Sequence, residues 1–349
     1  MKSDGVNLGN GDRMEPSTTP WRSPVASDGK DVRLPAPEDP ASSFFFTAIE
    51  RNLEILRTMG PRVPDGDDPE IIHDVRVAIR RIRACISLRT PDAAQKRASA
   101  IDRKLRSLFR MLGEVRDLDV LLASVYTYSK RLGIRRAKEF VAFVNDCEIR
   151  RSKALSRVIP AFSPPAFEAS LGAFSELPVM YRESGEPAFR AVPALLDAPV
   201  LIAGTYRALL AFDPMLKTGA TPDETYHAAR RAAKRHRYSI EFFSGMLGPG
   251  AERCHGTVKA LQDHLGSMND TFSAIRRVMS FLSRSMAAGG DGQYPGDLPP
   301  GPEVTRYLAL RQTESRRLAA GFTHVWKRVS SPTFRRTLFT ALGAIPKTR

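Results

Sequence analysis

Two stretches decide the fold: HDVRVAIRRIR at His73–Arg83 and HAARRAAKRHR at His227–Arg237. Around the first, Ile72, Val75, Ile79, Ile82 and Ile86 recur every three or four residues, the rhythm of one apolar helix face. His73, Arg76, Arg80 and Arg83 keep the same rhythm on the neighbouring face. The helix is therefore dry on one stripe and densely cationic on the next. Like charges at i,i+4 cost a few tenths of a kcal/mol per pair in an isolated helix, and no acid on this stripe relieves them. The second stretch repeats the device. At an offset of 154 residues His227 meets His73, Arg230 meets Arg76, Lys234 meets Arg80, Arg235 meets Arg81 and Arg237 meets Arg83. One basic helix face is usually just solvated. The same face twice, headed each time by a histidine, points to an external anion.

A second pair of blocks follows about thirty residues later in each half. LGEVRD at Leu112–Asp117 resembles LGSMND at Leu265–Asp270, at an offset of 153. Two linked blocks at nearly one offset mark an internal duplication. Arg106, Gly113 and Arg116 share a helix face, as do Lys259, Gln262, Gly266 and Asn269. A glycine inside a helix costs about 1 kcal/mol against alanine, so its presence at matching places implies close approach of a helix or a ligand. Asp117 and Asp270 are expected to orient neighbouring arginines or cap a turn. Tyr238 offers either a hydroxyl donor or a half-buried packing surface.

Working outward, residues 1–40 are rich in Pro, Ser, Gly and Asp without periodicity and read as a disordered tail. Helical patterning starts at Ala41, with Phe44, Ile49, Leu53 and Leu56 on one face, and stops near Gly60–Pro61. A second helix runs from Pro69 to about Thr90. A third follows Pro91, with a break near Gly113, and a fourth covers about 134–159 and ends at Pro160. Pro160–Pro199 reads as a connector with one short helix. Four more helices are expected at about 194–212, 222–247, 251–284 and 302–329, with a loop at Gly289–Pro302 and a basic extension over 331–349. No strand hairpin is visible. The fold class is all-α, four helices (about 41–160) plus four (about 190–330), consistent with bundle packing.

The 349 residues hold 53 Lys and Arg against 38 Asp and Glu, a net charge of +15. The tail contributes five basic and seven acidic side chains, so the helical body carries the whole excess. A body this basic favours a polyanionic partner. Cys85, Cys147 and Cys254 are isolated and form no CxxC pair, which argues for buried free thiols rather than a disulfide framework or zinc site. No run of about 18 apolar residues and no apolar leader are visible, so no membrane association and a cytoplasmic location are expected.

The blocks together resemble the CHAD (conserved histidine α-helical domain) family. The match rests on His73-x-x-Arg-x-x-x-Arg-Arg-x-Arg83 followed by GEVRDLDV at Gly113–Val120. It rests equally on the second basic stretch through Tyr238, followed by LQDHLGSMND at Leu261–Asp270. The resemblance covers about residues 41–330. It implies two four-helix bundles related by a pseudo-two-fold axis, with basic faces lining a shared groove or pore. It also implies binding of inorganic polyphosphate, in some members at polyphosphate granules. The residues expected to hold that ligand, from the stripes and the matched blocks together, are His73, Arg76, Arg80, Arg81, Arg83, Arg106, Arg116, His227, Arg230, Lys234, Arg235, Arg237, Tyr238, Lys259 and Asn269. Many relatives carry an upstream CYTH domain marked by an ExExK strand, absent from residues 1–40, so a stand-alone version is expected. Departures are His236, at a place usually apolar, and Ala228–Ala229 where the first half has Asp74–Val75.

Polyphosphate has no base edges to read, so a groove of Arg and Lys suffices, by charge-assisted hydrogen bonds with bidentate Arg favoured. Histidines among cations are expected to stay neutral. The first rival reading is a metal-dependent phosphohydrolase built on His73–Asp74. Such a site needs an upstream histidine, none precedes His73, and the second half has His227–Ala228. No catalytic residue, metal ligand or cofactor is therefore expected. The second rival is a nucleic-acid binder, since any phosphate-binding groove attracts DNA or RNA non-specifically. No helix-turn-helix, RRM-type sheet or aromatic platform supports it.

Overall fold

The Ile72–Ile86 stripe governs how the helices stack. In a computed structural model of the chain, residues 35–133, 138–183, 192–216, 223–287 and 302–343 are described. The helices are α1 (Ala41–Met59), α2 (Pro69–Leu88), α3 (Gln95–Leu132), α4 (Lys138–Phe162), α5 (Ala166–Phe174), α6 (Glu176–Glu183) and α7 (Ala194–Leu210). They continue with α8 (Asp213–Leu216), α9 (Asp223–Phe242), α10 (Gly250–Ala287), α11 (Pro302–Ser330) and α12 (Pro332–Gly343). Among the described residues there is no strand, only an isolated bridge between Pro40 and Pro193. The all-α expectation holds.

Helix α2 starts where its sequence says it should. The Asp68 carboxylate accepts the Glu70 backbone N–H at 2.9 Å, and Pro69 occupies the first turn, where its missing N–H costs nothing. Val75, Ile79 and Ile82 are then fully buried, each contributing about 1.5–3 kcal/mol by burial. Helix α3 ends at Gly133, whose φ of 67° suits the left-handed cap. In chain order α1 packs on α2, α2 on α3 and α3 on α4. Likewise α7 packs on α9, α9 on α10 and α10 on α11. Between the two sets α1 touches α7, α2 touches α9, α3 touches α10 and α4 touches α11.

The apolar interior has two parts. The larger runs from Phe45 and Ile49 of α1 to Trp326 of α11 and Leu338 of α12. The smaller joins the far ends of α3, α4, α10 and α11 through Val125, Phe143, Phe281 and Tyr307. There Ser124 Oγ and Tyr307 Oη share a hydrogen bond of 2.9 Å.

Several boundaries differ from the sequence reading. Helix α3 runs unbroken through Gly113, because packing on α2 and α4 outweighs the propensity cost of one glycine. Helix α4 passes Pro160 and stops at Phe162, the proline falling within its last turn. The connector after Phe162 holds two short helices, α5 and α6. The segment expected as a basic extension contains α12, whose Phe334, Leu338 and Leu342 are buried in the larger core. Residues 1–34 of the expected tail and 289–301 of the expected loop lie outside the described residues, whereas Asp39 is tied to α7 by Ala194 N–H at 2.9 Å. Cys85, Cys147 and Cys254 are free and buried, as expected. Ala194–Leu216 is long and apolar enough to cross a membrane by length and composition, although Asp197, Arg207 and Asp213 interrupt it. Its buried face packs on α1 and α9, which is also how a core helix of a folded domain behaves.

Candidate functional site

The cationic stripes of α2 and α9 meet where those two helices touch. Arg80 Nε donates a hydrogen bond to the Tyr238 hydroxyl across that contact. Tyr238 is otherwise buried, with its ring 4.9 Å from the Arg237 guanidinium. Arg76 lies deepest on the first side. Its Nη1 donates to the Phe109 carbonyl at 2.6 Å, and its guanidinium sits 4.1 Å over the Phe109 ring. Burial, then repulsion from Arg80, Arg116 and Arg230, pushes Arg76 down to about 10 despite nearby Asp117. Arg230 is lowered by burial too, with Asp270 as its nearest counter-charge. Its Nε is buried without a hydrogen-bond partner among the described residues. Lys234 shares this ground. Burial first, then Arg230, Arg80, Arg76 and Arg237, push its amine down to about 6. Burial and neighbouring cations thus raise the cost of charge on Arg76, Arg230 and Lys234.

The paired glycines explain the close packing behind this cluster. A Cβ on Gly113 would stand 3.1 Å from Arg76 Nη1, and one on Gly266 3.9 Å from Arg230 Nη2. What approaches each glycine is the arginine of the preceding basic helix. The LG blocks are therefore cradles for the arginines of the basic blocks.

The remaining predicted residues fall into two groups. His73 and His227 head their stripes. Burial and then Arg116 lower His73; burial and then Arg231, Arg230 and Lys234 lower His227, which also bonds Asn269. Both imidazoles are thus biased towards neutrality. The other group is already occupied. Asp102 takes Arg83 at 2.7 Å and Arg106 at 2.7 Å. Arg116 reaches Glu70 at 3.5 Å, and Lys259 pairs with Asp263 at 2.9 Å. Arg235 Nη2 donates to the Ser87 carbonyl at 2.6 Å. Buried Glu241 pairs through the same oxygen, Oε1, with Arg237 at 3.1 Å and with His255 Nε2 at 2.8 Å, while its Oε2 lies 3.9 Å from Arg81.

Sequence reasoning missed Phe109, Asp102, Glu241 and His255. None recurs between the halves, so no repeat signal marks them. Asp117 and Asp270, flagged as arginine-orienting groups, stand beside Arg76 and Arg230 as the counter-charges just described. His236 is fully buried, its Nδ1 bonded to Thr205 Oγ1 at 3.0 Å, and burial pushes it down to about 3. It is a neutral core group.

The profile of the CHAD domain matches residues 47–278. Two uncharacterized proteins from strains of Mycobacterium tuberculosis are each 24% identical over 270 residues, covering 74% of this chain and 49% of theirs. The chain therefore spans about half the length of those curated relatives. Among solved structures, the CHAD domain from the plant Ricinus communis aligns with a TM-score of 0.57 at 22% identity, covering 93% of this chain and 99% of that one. PptA from Streptomyces chartreusis aligns at 0.60 and 17% identity, covering 82% and 99%. At these identities the likeness is one of fold.

Proposed function

The chain belongs to the CHAD domain family, one associated with polyphosphate binding, and from that premise we propose that it binds inorganic polyphosphate without hydrolysing it, in a groove between α2 and α9. One observation carries the reading: Arg76, Arg230 and Lys234 are held together beside Arg80, and burial and mutual repulsion make their charge costly in a way that folding alone does not require. A buried cation cluster is destabilising unless an anion neutralises it. A flexible chain of phosphates supplies that charge along its whole length. The buried, unpartnered Arg230 Nε offers a donor for such an anion.

In this reading the site is made of two copies of one unit, each a four-helix bundle, related by a pseudo-two-fold axis. Helices α2 and α9 both have 20 residues, and α3 and α10 both have 38. The contacts support the same symmetry. Arg81 of α2 reaches Glu241 of α9, and Arg235 of α9 reaches Ser87 of α2. Positions 81 and 235 are equivalent, and so are 87 and 241, which is the reciprocal pattern of a two-fold contact. A symmetric groove suits a polymer of identical units. In the cell, such binding would hold the protein at polyphosphate granules in the cytoplasm.

The test is a competition measurement. The full chain, saturated with labelled polyphosphate, is challenged with duplex DNA at equal phosphate concentration across a salt series. The expected result is retention of polyphosphate. Displacement by DNA would overturn the reading in favour of a general nucleic-acid binder. Phosphate release with added Mg²⁺ or Mn²⁺ is expected to stay at background, and sustained turnover would replace binder by enzyme.

A further inference from the structure

A cavity of about 250 Å³ opens between α4 and α10, outside the duplicated basic blocks. Its walls carry four arginines, Arg150, Arg276, Arg277 and Arg284, and two serines, Ser273 and Ser280, against two carboxylates, Asp117 and Asp146. The α10 members recur at steps of three and four, so they share one helix face. Asp146 grips Arg150 at 2.8 Å and Arg284 at 3.0 Å, which fixes two of the guanidiniums. Arg284 also donates to Ser280 Oγ at 2.7 Å. Arg276 donates to the Ser273 hydroxyl at 3.5 Å. Among the described residues neither Arg276 nor Arg277 has a carboxylate within ion-pair distance.

A neighbouring cavity of about 650 Å³ provides the contrast. It shares Asp117, Ser273 and Arg277, but its four arginines face five carboxylates, Arg311 pairing with Glu314 at 2.8 Å and Arg116 with Glu70 at 3.5 Å. Only the smaller cavity combines excess positive charge with hydroxyls on a single face. It is also one-sided. At the repeat offset of 153, Arg276 and Arg277 correspond to Ala123 and Ser124, so the first half has no copy of it.

We propose that this cavity is a separate site for a compact phosphoryl anion, of which pyrophosphate is the representative. Planar guanidinium forks and serine hydroxyls match the oxygens of a phosphoryl group, and the cavity has room for two such groups. The anion is either free or the terminus of a longer chain.

Calorimetry of the full chain with sodium pyrophosphate tests it. Arg276→Ala/Arg277→Ala is expected to weaken pyrophosphate about tenfold or more, the loss of one or two charge-assisted hydrogen bonds. Arg76→Ala/Arg230→Ala is expected to leave it within about twofold of the unmodified chain on the same scale. Arg276→Glu alone, at an exposed position, is the second variant, with far-UV circular dichroism as the check on folding. No pyrophosphate binding by the unmodified chain, or a loss that follows Arg76 and Arg230 instead, overturns the proposal whatever the fate of the central groove. Long-chain polyphosphate on the Arg276/Arg277 variant separates the two sources. Unchanged affinity supports a free anion, and weakened affinity supports a chain end.

Discussion

The two basic helices occupy equivalent places and differ in what neutralises them. On α2, Arg83 is matched by Asp102 of α3, and the stripe reaches α9 through the Arg80 guanidinium, which donates to Tyr238. On α9, the counterpart of Arg83 is Arg237, but the α10 position answering to Asp102 is His255, which carries no carboxylate. Glu241, on α9 itself, takes over and is held in turn by His255. The counterpart of Arg80 is Lys234, whose amine burial and surrounding cations depress to about 6. In the proposed two-fold reading the two stripes differ at one matched place, an arginine at 80 and a lysine of depressed pKa at 234.

The largest effect expected comes from emptying both halves. Arg76→Ala/Arg80→Ala/Arg230→Ala/Lys234→Ala should weaken polyphosphate at least about 10³-fold, several charge-assisted bonds being lost together, with helicity by circular dichroism intact. Each half's double variant should lose about 10²-fold on the same basis at pH 5.5. At pH 8 the α9 double should lose less, because Lys234 is then neutral. If one double alone accounts for the full loss at both pH values, the halves do not form one site.

Glu241→Ala comes next. It strands Arg81 and Arg237 and removes one hydrogen bond of His255, at a cost of about 3 kcal/mol in urea unfolding, as for other broken buried pairs. An effect below about 1 kcal/mol, the ordinary worth of an exposed pair, would mean that Glu241 does not do for α9 what Asp102 does for α2.

Lys234 should reveal itself through both stability and binding. Its folded pKa, about 6, lies below its unfolded value, so the unfolded chain binds the proton more readily between them. Stability is therefore lost as pH falls from the ordinary lysine range to about 6 and is flat below. Lys234→Met should stabilise the empty protein at pH 7 by about 1–2 kcal/mol, read as a raised unfolding midpoint. A bound anion favours the ammonium, so polyphosphate binding takes up a proton. Affinity should rise as pH falls, by at most about tenfold per pH unit for one proton, and level off below about 6. Lys234→Arg should flatten that rise, leaving the smaller contribution of His73 and His227. An unchanged slope would remove Lys234 from the comparison.

The smallest difference expected is at the paired glycines. Gly266→Ala should stabilise by up to about 1 kcal/mol through helix propensity, since its Cβ meets Arg230 at an ordinary 3.9 Å. Gly113→Ala should gain less, because at 3.1 Å it must shift Arg76, and should weaken polyphosphate severalfold. Equal thermal shifts and equal affinities would make the two cradles interchangeable.

Much of this was legible in the chain itself. The period of Ile72, Val75, Ile79 and Ile82 announced a helix, and the recurrence of His73–Arg83 at His227–Arg237 announced paired cationic faces. Helix ends were less legible. Gly113 and Pro160 carry break signals that packing overrode, and α12 carries arginines on a helix whose buried side is Phe334, Leu338 and Leu342. The partners Asp102, Phe109, Glu241 and His255 were illegible because the residue types at the matching positions of the other stretch differ, His255, Gln262, Ser87 and Asp102.

By itself, then, the sequence determined the helices, their amphipathic faces and the doubling of the cationic stripe, because these depend on spacing along one chain. Only the tertiary structure decided which cations are spent on carboxylates and which stay unneutralised. It brought Lys234 beside Arg76, Arg80 and Arg230, and it set Glu241 between Arg81 and Arg237. Charge balance is a sum over neighbours in space, and the burial that depresses Lys234 exists only once α2 and α9 are packed together.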